Sequence, residues 1–243
     1  MLSINNILLP QILAAEKDFL IVYKPPRLHS APLARSPGAN IFDFCAAEFP
    51  EIAELPGRKP GEGGLFHRLD YETQGLMLFA RNRPAMEALL AQQKEGKISK
   101  EYSALASESK TILPGFPVEK PKPPLLESAF RPYGPGRKAT RPVLFEPPQG
   151  ESQGELYRTE ILETQSLSPD VISFRLRILK GFRHQIRCHL AWLGKPILND
   201  SLYGGASHGE SLLALRACSL NFSDPSSGEA VAYSIPTLDI SLG

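Results

Sequence analysis

The segment Ile172-Ser173-Phe174-Arg175-Leu176-Arg177-Ile178 alternates apolar and polar residues along its whole length. A repeat of two is the period of a strand with one face on a core. The apolar side goes inward, the two arginines face outward, and Gly181 ends the run. The other apolar runs are equally short. Residues 19–23 form a β-branched and aromatic run stopped by Lys24-Pro25-Pro26, a strand leaving into a rigid turn. Residues 76–80 are uncharged and too few for a helix, and Thr73-Gln74-Gly75 before them reads as a turn. Residues 100–106 alternate with Tyr102, Ala104 and Ala106 on one face.

Further strands are expected around 143–145 and 157–162. An apolar segment follows at 212–222, then a turn at 224–228 and a final edge strand at 230–242. Three stretches carry helical spacing. Residues 41–49 precede Pro50. A second helix starts at Pro84, has Met86, Leu89 and Leu90 as its stripe, and stops at Gly96. The third, 184–193, has Ile186, Leu190 and Leu193 as its stripe and stops at Gly194. The Pro-rich stretch from Pro114 to Pro124 reads as a surface loop. Strands outnumber helices and often follow one another without a helical crossover. The expected fold class is therefore α/β (α+β), a single mixed, largely antiparallel sheet with flanking helices. Residues 1–15 are a lead-in and 16–243 one domain.

Composition narrows the function classes. With 42% apolar and 22% charged residues and a net charge of +1, the chain matches a soluble globular protein. Locally the charge is uneven. Between residues 171 and 199 lie Arg175, Arg177, Lys180, Arg183, Arg187 and Lys195 with no acid until Asp200, and Arg131, Arg137, Lys138 and Arg141 form a second acid-free block. Two such blocks can join into a phosphate-binding track. Cys45, Cys188 and Cys218 are odd in number and widely spaced, which suits reduced cytosolic thiols. No leader pattern or long apolar stretch is present, so a cytoplasmic protein without a membrane span is expected.

Most familiar chemistries lack their residues. His184 and His189 would point about 140° apart on a helix, and no Cys pair or His-Glu-x-x-His pattern makes a metal site. There is no G-x-S-x-G and no phosphate-cradling glycine loop. What remains is the carboxylate of Asp70, on a loop at the mouth of a strand, with arginines available to keep it charged. Taken alone, such an aspartate reads as the cap of a turn.

Four ordered blocks change that reading. His67-Arg68-Leu69-Asp70, followed by Thr73, Gly75-Leu76 and Phe79-Ala80, resembles the signature of the RluA-type RNA pseudouridine synthases. Residues 19–25 resemble that family's early strand ending in Lys-Pro, and Lys100-Glu101-Tyr102 its Lys-x-Tyr motif. Gly181-Phe182-Arg183-His184-Gln185-Ile186-Arg187, continuing through Asp200 to Tyr203-Gly204, resembles its third motif, and residues 212–229 also fit. The departures are Gln74 where the family usually has Ser, Arg81 for the usual Lys, and Phe182-Arg183 for the common Arg-Thr.

The resemblance implies isomerisation of uridine in ribosomal or transfer RNA to pseudouridine, without cofactor or metal. Asp70 is the implied catalytic carboxylate, Tyr102 the ring that stacks on the target base, and Arg187 the partner of the aspartate. Arg68 is the residue that fills the gap left by a flipped uridine. His67 and Thr73 shape the substrate loop, and His184 and Gln185 shape the third motif. Arg137 and Lys138 contact RNA phosphates. The implied partner is RNA, with the chain acting as a monomer. Two other classes fit less well. A non-catalytic RNA-binding or RNA-folding protein would not need Asp70, Tyr102 and Arg187 together, and a carboxylate hydrolase would lack its second carboxylate.

Overall fold

The computed structural model describes residues 2–3, 9–33, 38–57, 61–144, 155–208, 212–238 and 241–242. In chain order the elements are β1 (Leu2–Ser3), β2 (Gln11–Ala15), β3 (Phe19–Lys24), α1 (Ile41–Glu48), β4 (Gln74–Ala80), α2 (Arg83–Lys94) and β5 (Ser99–Ala106). They continue with β6 (Leu125–Tyr133), β7 (Ala139–Val143), β8 (Tyr157–Ser168), β9 (Val171–Ile178), α3 (Gln185–Leu193), β10 (Leu215–Ser223), β11 (Ala230–Ser234) and β12 (Ser241–Leu242). The class is the expected one, mixed α/β with mostly antiparallel pairing. Among the described residues no helix is long and apolar enough to cross a membrane.

Two compact units divide the chain. The first, residues 5–100 and 216–237, carries strands in the order β2-β3-β4-β10 with β11 on β10. β4 and β10 run parallel, pairing Gln74 with Arg216 and Gly75 with Ala217. Gly75 has φ 125, and a side chain there would strike the Ala217 backbone, so only glycine admits this approach. Phe19, Ile21, Leu76, Leu78, Met86, Leu89 and Phe222 pack into the core of this unit. Its helices start at asparagine caps: Asn40 Oδ1 accepts from Asp43 N at 2.8 Å, and Asn82 Oδ1 from Ala85 N at 2.9 Å.

The second unit, residues 1–4, 101–215 and 238–243, carries strands in the order β5-β9-β8-β6-β7, with β1 paired to β12. A core of Phe116, Ala139, Cys188, Trp192 and Tyr203 lies under α3.

Several expectations change. Residues 11–15, read as lead-in, form β2 against β3. Gln74 and Gly75 belong to the strand, not the turn. β6 is a nine-residue strand where none was expected, because Glu127 and Pro132 interrupt its pattern. The strand placed at 143–145 is β7, earlier by several residues, and Phe145 lies outside the described residues. The tail is two short strands, β11 and β12, and residues 235–238 after β11 belong to neither. In β5 both faces are buried from Tyr102 to Ala106.

Candidate active site

In the first unit the candidate aspartate sits half-buried on the loop that feeds β4. Its main chain is fastened at successive residues. Ser30, itself buried, donates from Oγ to Leu69 O at 2.8 Å and accepts from Leu69 N at 3.0 Å. One hydroxyl thus satisfies both polar backbone groups of the residue before Asp70. Thr73 N donates to Asp70 O at 3.1 Å and closes the turn. Lys24 Nζ, at the end of β3, donates to Tyr71 O at 3.2 Å, Leu28 O at 2.7 Å and Pro25 O at 2.9 Å. Three carbonyls match the three donors of an ammonium. Burial pulls the Lys24 pKa down to about 7, against the opposing attraction of Asp70 and Glu72.

The neighbouring side chains are also held. His67 Nε2 accepts from Leu78 N at 3.2 Å, which ties the loop to β4. Arg68 is exposed and pairs with the buried Glu62 at 3.2 Å. Thr73 is buried, and its Oγ1 has no hydrogen-bond partner among the described residues. Gln74 is fully buried, its Oε1 accepting from Tyr23 Oη at 2.7 Å and from Arg216 Nη2 at 3.2 Å. The residue where the family usually has Ser therefore links β3, β4 and β10 behind the loop.

In the second unit α3 starts from His184, whose φ of 57 places it in the left-handed region rather than inside the helix. Gln185 Oε1 accepts from Phe182 N at 2.9 Å, and its amide donates to Arg158 O at 2.9 Å and Thr159 Oγ1 at 3.1 Å. That fixes the helix start against β8. Arg187 grips the fully buried carboxylate of Asp200 with two bonds, Nε to Oδ2 at 2.7 Å and Nη2 to Oδ1 at 2.8 Å. Its guanidinium carbon lies 5.3 Å from the ring centre of Tyr203. Tyr203 Oη accepts from Thr140 N at 2.8 Å and lies 3.1 Å from His184 Nδ1, and burial pushes its pKa up. One turn on, His189 is enclosed between Ser128 Oγ at 3.0 Å and Thr159 Oγ1 at 2.8 Å, and burial pulls its pKa to about 3. Tyr102 is buried on β5, while Arg137 and Lys138 are exposed in the turn between β6 and β7.

Of the sequence candidates, His67, Arg68, Asp70 and Thr73 share one loop of the first unit. His184, Gln185 and Arg187 share one helix start of the second, which also contains Tyr102, Arg137 and Lys138. Sequence reasoning missed Ser30 and left Lys24, Asp200 and Tyr203 as motif residues without partners. The carboxylate two turns past the helix was the one available signal, since a buried arginine requires an acid.

Known proteins resemble the chain over most of its length. A family model described as RNA pseudouridylate synthase matches residues 18–192. "Ribosomal large subunit pseudouridine synthase D" of Vibrio vulnificus (strain CMCP6) is 30% identical over 94% of this chain and 67% of its own length. Its namesake from Haemophilus ducreyi (strain 35000HP / ATCC 700724) is 31% identical over 93% and 66%. The chain thus spans about two thirds of these relatives. Among solved structures, "Human RNA Pseudouridylate Synthase Domain Containing 1" superposes with a TM-score of 0.63 at 22% identity, covering 99% of this chain and 93% of that one, and shows the same fold. Motifs, family model and fold converge, and the chain belongs to the RNA pseudouridylate synthase family.

Proposed function

We propose that this pseudouridine synthase modifies ribosomal RNA of the large subunit, with Asp70 as the carboxylate that carries the reaction and Tyr102 and Arg187 as its partners by motif position. The reaction detaches uracil from C1′ of the ribose, turns it, and rejoins it through C5. Asp70 begins it by attacking C1′ or by taking the proton from C2′, and both routes use the same ionised carboxylate. The observation that carries the reading is the fastening of the Asp70 loop. Ser30, Lys24 and the Thr73 turn bond hold three consecutive residues by their main chain, which fixes the backbone from which the Asp70 side chain projects. By motif position, Arg68, exposed beside it, fills the space of an extruded uridine, and Tyr102 stacks on the base. The chemistry breaks and remakes a single bond and calls for no cofactor or metal. The chain from β2 onward acts as one catalytic domain and a monomer in the cytoplasm, a compartment that suits Cys45, Cys188 and Cys218, none of which forms a disulfide among the described residues.

The choice of ribosomal RNA follows from the names of the relatives. Mapping pseudouridines by carbodiimide-adduct primer extension, in total RNA from cells with and without the gene, tests it. Loss of a stop in large-subunit ribosomal RNA is expected. Loss in transfer RNA alone would reassign the substrate, and no loss anywhere would overturn the reading.

A further inference from the structure

Aromatic rings in the second unit lead from the core to the surface. His189, fully buried on α3, has its ring centre 4.9 Å from that of Phe130 on β6. Phe130 lies 5.1 Å from Phe182, and these two rings are only 10° from parallel. Tyr157, at the start of β8, flanks both at 5.8 Å from Phe130 and 5.1 Å from Phe182, tilted by 52° and 58°. These are spacings at which aromatic rings attract. Unlike His189, the rings of Phe130, Tyr157 and Phe182 are only half-buried. The contacts thus run in series from a buried histidine through Phe130 to Phe182.

Phe182 is held by more than ring packing. The buried Gln185 clasps both polar groups of its main chain: Oε1 accepts from Phe182 N at 2.9 Å, and Gln185 N donates to Phe182 O at 3.1 Å. The ring therefore projects from fixed backbone, directly before Arg183-His184-Gln185 of the third motif. It is also one of the departures from the family pattern, a flat apolar ring where arginine is common. Beside it, Tyr157 Oη donates to Glu155 Oε2 at 2.8 Å, and Lys180 pairs with that carboxylate. A half-buried ring on rigid backbone loses little freedom when a ligand covers it, and every nucleobase offers a flat face to lay on it.

The geometry points to Phe182, backed by Phe130 and flanked by Tyr157, as a platform on which an unpaired base of the RNA substrate stacks. Stacking tolerates any base and needs no charge, so the platform adds affinity without a phosphate contact. The choice of RNA as the ligand rests on the pseudouridine synthase reading.

The test measures binding of a fragment of large-subunit ribosomal RNA to variants of the full chain across a salt series. Phe182→Ala should weaken binding on the order of 5- to 150-fold, the range for one lost base stack. The slope of log K against log salt should stay in place, whereas each lost phosphate contact would flatten it by about 0.7 to 0.9. Phe182→Leu keeps apolar bulk without a flat ring and should lose nearly as much. Phe182→Tyr keeps the ring and should bind as wild type, and these two variants decide the matter if the alanine protein fails to fold. Removing the base at each unpaired position of the fragment in turn should reveal one abasic RNA that binds wild type and Phe182→Leu alike. Wild-type affinity in Phe182→Leu, a flattened slope, or no such abasic position would overturn the inference. If the variants behave as expected while wild type makes no pseudouridine, the platform stands and the catalytic reading fails. Pseudouridine formation with wild-type affinity in Phe182→Leu fails the platform alone.

Discussion

Asp70 and Arg187 are both held in place, by opposite means. The loop of Asp70 is fastened through its main chain, with Ser30 on Leu69, Lys24 on Tyr71 and the turn bond from Thr73. Arg187 is fastened through its side chain, by two bonds to a buried carboxylate and by the ring of Tyr203, on a helix that is buried all round. The difference matches the roles proposed for the two groups. Main-chain bonds set the position of Asp70 through the residues on either side, whereas a two-bond salt bridge sets the guanidinium of Arg187 directly.

Removing Asp200 should break the second arrangement most. Asp200→Ala leaves a buried guanidinium without its carboxylate and is expected to cost about 3–5 kcal/mol of stability, read from urea unfolding of the second unit. Asp200→Asn, which keeps one acceptor for Arg187, should recover part of the loss. A cost below about 1 kcal/mol would show that Arg187 does not depend on this pair.

The first arrangement should break more gently and in a different observable. Ser30→Ala strands the N–H and C=O of Leu69 and should cost about 1–3 kcal/mol. The turnover number should fall on the order of tenfold to a hundredfold, because the loop carrying the carboxylate loses its register. KM for RNA should stay near wild type. A KM effect with unchanged turnover would mean that Ser30 serves RNA binding and not the placement of Asp70.

The smallest effect sharpens the account of α3. His189 is neutral in the fold with a pKa near 3, whereas the unfolded chain titrates near the ordinary 6.5. Between these values the unfolded state binds the extra proton, so the stability from His189 is complete above pH 6.5 and drains away as pH falls toward 3. From pH 7 to 5.5 the loss should be on the order of 1 kcal/mol. His189→Gln should flatten that part of the profile. Identical profiles for the two proteins would contradict a neutral buried histidine.

The same contrast explains what was legible in the sequence. α1 and α2 were readable because their signals are local: the apolar spacing before Pro50 in one, and Pro84, the Met86-Leu89-Leu90 stripe and Gly96 in the other. β9 was readable because its period is unbroken. β6 was not, since Pro132 and Glu127 sit inside it, and its pairing with β8 joins residues about thirty apart in the chain. Gln74 looked like a turn residue because its neighbours Thr73 and Gly75 are turn formers. Its strand character comes from Tyr23 and Arg216, which meet it only in the fold. Asp70 was recognisable by motif alone. The serine that secures its loop lies 39 residues upstream of the leucine it clasps and bonds to main chain, so no complementary side chain betrays it.

The central claim is that the Asp70 carboxylate carries the isomerisation. The direct test is single-turnover conversion of uridine in a large-subunit ribosomal RNA fragment by Asp70→Asn, with RNA binding measured in parallel. The substitution keeps size and removes only the charge. Pseudouridine formation should disappear while the dissociation constant stays within a few-fold of wild type. Turnover at the wild-type rate would place the chemistry on another residue.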